Sequence, residues 1–279
     1  MTAKTMVVTG VSSGFGLVIA RQALSAGYRV MGSVRKLEDG EALRQAGGEV
    51  VLLDLMDEQS CAAFGETVTA WCDGRLDCVV HNAGTAFPAP MVGADREDLR
   101  RQFEVNAIGQ MSANSYIMDA LLAAGGTAIF ISSISTQLPT ALLGPYAASK
   151  RALEAMAEAL AMEAGPLGLR VAVVRPGSYR TSIWDTSVPR GDKYLASETG
   201  PSERMIPHYK RLGEKVRRVA LEQPMGDPEQ LGRFVMRVAR GGGGFFNTTP
   251  FIAKTMQTIR WALPVAWFHR VVRFVLGRA

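Results

Sequence analysis

The chain has 279 residues, 47% of them hydrophobic, which is enough to bury one large core and fits a single domain of upper-middle size. Its net charge of +5 is mildly basic, but the positive residues are scattered apart from a concentration after residue 203. No Lys/Arg block resembles a nucleic-acid-binding arm, so the charge reads as solubility and anion attraction, with no nucleic-acid partner. Cys61, Cys72 and Cys78 are odd in number and lack metal-ligand spacing, which speaks for buried free thiols rather than a disulfide scaffold. His81, His208 and His269 form no readable metal motif. Residues 1–5 run directly into Met6-Val-Val with no charged-then-apolar signal segment, and no uninterrupted apolar run reaches transmembrane length. A cytoplasmic location is the expectation.

Short apolar runs alternate with helical patterns along the chain. Strands are expected at 5–9, 27–34, 49–54, 76–81, 127–132, 169–174 and 245–252. Between them, helices are expected at 17–26, 41–46, 57–72, 96–124 and 146–164. Such alternation signals βαβ units, a parallel sheet and right-handed crossovers that stack helices on both faces: a doubly wound α/β fold. There is no internal repeat or low-complexity linker. The reading is one domain over residues 1–252, with a lid at about 182–225, followed by an amphipathic extension over 253–279.

Gly10, Gly14 and Gly16 lie between the first strand and the first helix, in the order T-G-x-x-x-G-x-G. Glycines permit a tight turn there and let backbone N–H groups and the helix N-terminus face a phosphate. Position after a strand and before a helix meets the condition for nucleotide binding. Further along, Ser133 follows the 127–132 strand, and Tyr146-Ala-Ala-Ser-Lys150 opens a long alanine-rich helix. Tyr146 and Lys150 are four residues apart and share a helix face. A phenol titrates near ~10, and an adjacent cation favours the phenolate. Tyrosine tuned in this way serves proton transfer to or from an alcohol.

These motifs together resemble the short-chain dehydrogenase/reductase family. Thr9 to Gly16 matches its cofactor loop, Asn82-Ala83-Gly84 the motif after strand four, and Asn106 its helix asparagine. Ser133, Tyr146 and Lys150 complete its catalytic tetrad with Asn106, and Pro176-Gly177-Ser-Tyr-Arg-Thr181 matches a P-G-x-x-x-T segment beside the nicotinamide. The likeness covers residues 5–181 in order. It implies a Rossmann-type fold and a dinucleotide held by Gly10, Ser12, Ser13, Gly14, Phe15, Gly16, Asp54, Leu55, Asn82, Ala83, Gly84, Tyr146, Lys150, Pro176, Gly177 and Thr181. It also implies that Asp54 meets the adenine amino group and that the helix kinks at Val105–Asn106. Under this resemblance Tyr146 exchanges the proton and Ser133 holds the substrate oxygen. Lys150 binds ribose hydroxyls and lowers the Tyr146 pKa, while Asn106 anchors a water that relays protons.

Charge selects the dinucleotide. NAD-preferring relatives carry an acid at the end of strand two, where this chain has Val34 followed by Arg35 and Lys36. A carboxylate there would repel a 2′-phosphate, whereas a guanidinium binds it with charge-assisted bonds, so NADP(H) is preferred over NAD(H).

The substrate end is less legible. Ile183, Trp184, Tyr194, Leu195, Met205, Ile206 and Tyr209 mix with charge in the expected lid, which suits a hydrophobic substrate or simple packing of the lid on its own domain. Residues 254–276 interleave Trp261, Trp267, Phe268 and Phe274 with Arg260, His269, Arg270 and Arg273, interrupted at Pro264. Such a basic amphipathic segment suits a membrane surface, a fold over the cleft or a subunit contact. Its layout resembles hydroxysteroid and retinol dehydrogenases, implying a lipophilic secondary alcohol or ketone. A biosynthetic ketoreductase of acyl or aromatic ketones, a sugar-nucleotide epimerase and a non-catalytic dinucleotide sensor are the competitors. By resemblance the chain forms a homodimer or homotetramer.

Overall fold

The computed structural model describes residues 3–179, 191–192, 194, 196, 202–222 and 225–275. Seven strands form one parallel sheet: β1 (Thr5–Thr9), β2 (Arg29–Val34), β3 (Glu49–Leu52), β4 (Cys78–His81), β5 (Thr127–Ile131), β6 (Arg170–Pro176) and β7 (Phe246–Thr249). Their spatial order is β3-β2-β1-β4-β5-β6-β7, so the winding reverses between β1 and β4. The crevice at the carboxyl ends of those two strands is where such sheets bind ligands.

Alternation along the buried strands feeds two cores. Val7, Val79, Phe130 and Val173 point to a face covered by α3 (Glu58–Trp71), α5 (Gly109–Ser115), α6 (Met118–Ala124) and α7 (Gly144–Ala164). Met6, Val8, Val80 and Ile129 point to the other face, against α1 (Gly14–Ser25), α2 (Glu41–Arg44) and α9 (Pro228–Ala239). Two-sided burial explains why the strands read as continuous apolar runs. The remaining helices are α4 (Arg96–Phe103), α8 (Ile206–Glu222), α10 (Phe251–Ala262) and α11 (Val265–Val275).

Several boundaries differ from the sequence reading. The single helix expected at 96–124 is α4, a π-helical turn (Glu104–Ile108), α5 and α6. Tertiary bonds drawn by Asn106 hold the π turn, and no periodicity reports them. The expected last strand at 245–252 ends at Thr249, because α10 starts at Phe251. The third and fourth strands are each two residues shorter than expected. Among the described residues no helix is long and apolar enough to cross a membrane.

Helix α7 carries two candidate site residues, so its seating matters. Leu153 is fully buried beneath it. Leu153→Ala should cost about 2–5 kcal/mol in urea denaturation; a loss below about 1 kcal/mol would contradict this packing.

Candidate active site

The glycine loop closes against the chain that follows β4. Gly10 has φ +73° and Gly14 φ +60°, both in the left-handed region. A Cβ at Gly10 would lie 2.9 Å from Ala83 Cα, and one at Gly16 would lie 2.1 Å from the Gly10 carbonyl oxygen. Thr9 Oγ1 accepts the backbone N–H groups of Asn82 (2.9 Å) and Ala83 (3.0 Å), while Asn82 Nδ2 donates to the Thr9 (3.0 Å) and Gly10 (3.2 Å) carbonyls. Gly10 N also donates to Ser33 Oγ at 3.2 Å, which ties the loop to the end of β2. Ser12 and Ser13 are exposed, and the first turn of α1 has no acid. This cradle, side-chain-free at its glycines and with no acid in the first turn of α1, fits a pyrophosphate at the helix N-terminus.

Arg35 and Lys36 emerge exposed just past β2 and enter no ion pair among the described residues. Asp54, also exposed, follows β3, and its Oδ1 accepts the Met56 N–H at 3.0 Å. Leu55 is buried against Gly109, where a Cβ would lie 2.0 Å from the Leu55 carbonyl oxygen. Phe15 packs edge-on to Tyr179, with ring centroids 5.6 Å apart, so the glycine loop touches the segment beyond β6. There Pro176 ends the strand, and Gly177 N donates to the Thr249 carbonyl at 2.6 Å. Thr181, Ile183, Trp184 and Leu195 lie outside the described residues. Tyr194 donates to Asp98 Oδ2 at 2.6 Å at the start of α4.

Asn106 is fully buried in the π turn. Its Oδ1 accepts the Thr85 N–H (2.8 Å), and its Nδ2 donates to the Thr85 carbonyl (2.8 Å) and to Ser149 Oγ (3.0 Å). Ser149 in turn donates to the Tyr146 carbonyl at 2.8 Å, so Asn106 reaches the first turns of α7. Lys150 is buried, and its Nζ donates to the Ile131 carbonyl at 2.8 Å. A Cβ at Gly84 would meet Asn106 Oδ1 at 3.2 Å and Lys150 Nζ at 3.3 Å, which places that ammonium beside both. Ser133 caps the short turn after β5, accepting the Ser135 N–H at 3.1 Å, and its hydroxyl lies near enough to the half-buried Tyr146 to favour the phenolate.

Electrostatics depart from the expectation in one respect. Burial pushes the Tyr146 phenol above its ordinary value, and the Ser133 hydrogen bond opposes this only in part. The Lys150 ammonium donates to the Ile131 carbonyl of β5. Burial instead brings Lys150 down to about 8, with the Glu154 charge acting in the opposite direction.

Several residues of this constellation escaped the sequence reading. Thr9 and Gln110 hold the Asn82–Ala83 backbone; Gln110 Nε2 donates to the Ala83 carbonyl at 2.7 Å. Ser149 and Ser132 are each hydrogen-bonded next to a site residue. Glu154 and Arg175 form a buried ion pair behind the site, at 2.7 Å. An acid one helical turn after Lys150 was the available signal. Among the described residues no group of three or more His, Cys, Asp or Glu is placed to hold a metal.

Comparison with known proteins agrees with this geometry. A family model described as short chain dehydrogenase matches residues 4–190. An uncharacterized oxidoreductase, YusZ of Bacillus subtilis (strain 168), is 34% identical over 248 residues, covering 86% of this chain and 85% of its own. An NADPH-dependent 3-dehydrocapnine reductase of Ornithobacterium rhinotracheale is 31% identical over 227 residues, covering 77% of this chain and 80% of its own. Among solved structures, a short-chain dehydrogenase from Streptomyces avermitilis superposes with a TM-score of 0.77 at 28% identity, over 98% of both chains. With half the chain and more matched, and with the strand order observed, the chain belongs to the short-chain dehydrogenase/reductase family and is an oxidoreductase of that type.

Proposed function

We propose that the protein is an NADP(H)-dependent ketoreductase/alcohol dehydrogenase acting on lipophilic secondary alcohols and ketones, with bulky apolar, steroid-like substrates favoured. The observation that carries this reading is the grouping of Ser133 at the end of β5, the Tyr146 phenol it acts on, and the buried Lys150 ammonium beside Asn106 and Gly84. NADP(H) is supported by the exposed cations Arg35 and Lys36 just past the end of β2. The NADPH dependence of the Ornithobacterium relative points the same way.

When bound, the dinucleotide supplies or takes up the hydride. The chain's own part is to hold and protonate. Ser133 Oγ donates to the substrate oxygen and orients it toward Tyr146 Oη, stabilising charge as it develops. Tyr146 then passes its phenolic proton to that oxygen in reduction and recovers it in oxidation. A phenol held above its ordinary value is fully protonated at neutrality, the form that reduction uses. Lys150 would hold the ribose hydroxyls of the dinucleotide, and Asn106 fixes the π turn and the Thr85 loop beside it. In this reading residues 1–252 form the dehydrogenase domain, with a lid at about 182–225 and a C-terminal extension over 253–279. The protein is cytoplasmic and homo-oligomeric.

Tyr146→Phe should lower turnover about 10²–10⁴-fold while leaving NADPH binding within a few-fold, as read by cofactor fluorescence. Retained turnover would sink the mechanism, and binding without turnover of any ketone by the native chain would favour the sensor reading. Arg35→Asp should cut kcat/KM with NADPH roughly 10–100-fold, because a charge-assisted hydrogen bond contributes ~1.5–3 kcal/mol, and should raise the relative use of NADH. An unchanged cofactor ratio would remove this assignment.

A specific observation favours peripheral contact with an anionic membrane surface. Residues 230–279 hold eight Lys/Arg and no Asp or Glu, so the other 229 residues carry −3 of the chain's +5. On α10 and the start of α11, Phe251 is 82% exposed, Trp261 71% and Trp267 59%. Trp261 Nε1 donates to Gln137 Oε1 at 3.3 Å, so this apolar, cationic face adjoins the loop after Ser133. Aromatic side chains among basic ones suit an acidic headgroup layer and delivery of an apolar substrate. The full chain should pellet with phosphatidylserine-containing vesicles but not with zwitterionic ones, and Trp267→Ala with Arg270→Glu should abolish this. Absence of pelleting, or pelleting indifferent to lipid charge, would contradict it.

A further inference from the structure

The mechanism above leaves one buried carboxylate without a task. Glu154 is 2% exposed and sits on α7, one turn beyond Lys150 and two beyond Tyr146. Its oxygens accept Arg175 Nε at 2.7 Å and Arg175 Nη2 at 2.9 Å, a two-pronged grip. They also accept Ser132 Oγ at 2.7 Å and Thr136 Oγ1 at 2.9 Å, and Arg151 Nη1 reaches in at 3.5 Å from the surface side. The Arg175 guanidinium lies 3.6 Å from the ring centroid of Phe246, which closes its other face.

Three segments that bear on the site therefore meet on one side chain. Ser132 and Thr136 bracket Ser133, so their bonds fix the turn that aims its hydroxyl. Arg175 immediately precedes Pro176-Gly177, the segment proposed to line the nicotinamide. Helix α7 itself carries Tyr146 and Lys150. Removing a carboxylate from water is costly unless partners replace the lost solvation, and an ion pair of this kind is no stronger than well-packed apolar residues. Its value here is geometric. A displacement of 1 Å between reacting groups is enough to lower a rate on the order of 10²-fold.

We propose that Glu154, gripped by Arg175, is a positioning residue that locks the Ser133 turn and the Pro176–Gly177 segment to the helix carrying Tyr146 and Lys150. This rests on the dehydrogenase reading. A second consequence is electrostatic. The surroundings of Lys150 are the Ile131 carbonyl from β5, Asn106 from the π turn, Gly84 from the loop after β4 and Tyr146 on its own helix. Arg175 from β6 and Arg151 from α7 face Glu154. Against the burial that lowers the Lys150 pKa, the Glu154 charge holds it up. If ribose binding needs the ammonium, activity falls as pH rises through the Lys150 pKa, and a chain without the Glu154 charge loses activity at lower pH.

The test uses the full chain. Ser132→Ala with Thr136→Ala leaves the ion pair intact; it should lower kcat about tenfold or more while NADPH affinity stays within about threefold. Glu154→Gln should move the alkaline limb of kcat/KM to lower pH, and Glu154→Asp should restore most of that shift. Native kcat in the hydroxyl variant, or an unmoved alkaline limb in a folded Glu154→Gln chain, would reduce the cluster to a structural one and overturn the proposal. If the native chain reduces no ketone, the dehydrogenase reading fails separately. The Lys150 titration, followed by NMR of ¹³Cε-labelled lysine and assigned with Lys150→Arg, still decides the role of Glu154. A Lys150 pKa equal in the native and Glu154→Gln chains would overturn it.

Discussion

Everything at this site depends on the closeness of two backbones at the point where the sheet reverses direction. The turn after β1 and the loop after β4 touch without room for a side chain between them, since a Cβ on Gly10 would fall inside contact distance of Ala83. That contact is possible because Thr9, the last residue of β1, spends its hydroxyl on two N–H groups of the neighbouring loop. Asn82 returns two bonds to the carbonyls of the glycine turn. With those carbonyls satisfied by protein, and the Gly10 and Val11 N–H groups taken by the Ser33 carbonyl, the turn presents the start of α1 to an anion.

From this crevice the rest follows by accounting for buried polar groups. A buried lysine needs an acceptor, and the Ile131 carbonyl supplies it at the end of β5. A buried asparagine in the middle of a helix needs partners, and it obtains them by opening one π turn and binding the Thr85 backbone. The irregularity lies next to the candidate chemistry because it carries a side chain across the gap between the β4 loop and α7. Behind α7, the Glu154–Arg175 pair does for the Ser133 turn what Thr9 does for the glycine loop: it uses satisfied polar bonds to hold a flexible connection in one place.

Much of this was legible in the amino-acid order. The buried strands announce themselves by short apolar runs, and the glycine spacing, Asn82-Ala83-Gly84 and Tyr146 with Lys150 stand in the order that the fold requires. The end of β2 shows its charge directly in Arg35 and Lys36. What escaped was tertiary. The helix expected at 96–124 has a helical pattern throughout; family resemblance places its kink at Val105–Asn106, where the π turn is, but the Asn106–Thr85 bonds that hold it open are tertiary. Helical spacing puts Lys150 and Tyr146 on one face, but it does not show the acceptor that the ammonium takes, a carbonyl 19 residues earlier in the chain. Glu154 reads in isolation as one more acid in an alanine-rich helix, since its partner Arg175 lies 21 residues away on a strand.

The central claim is that this crevice carries a hydride between NADP(H) and the carbon of an apolar ketone. The most direct measurement supplies NADPH bearing deuterium at the transferable C4 position, together with a panel of bulky apolar ketones, and examines the products by mass spectrometry. The account predicts an alcohol carrying one deuterium on its carbinol carbon, formed with the native chain. Tight NADPH binding with no labelled alcohol from any ketone in the panel would contradict it.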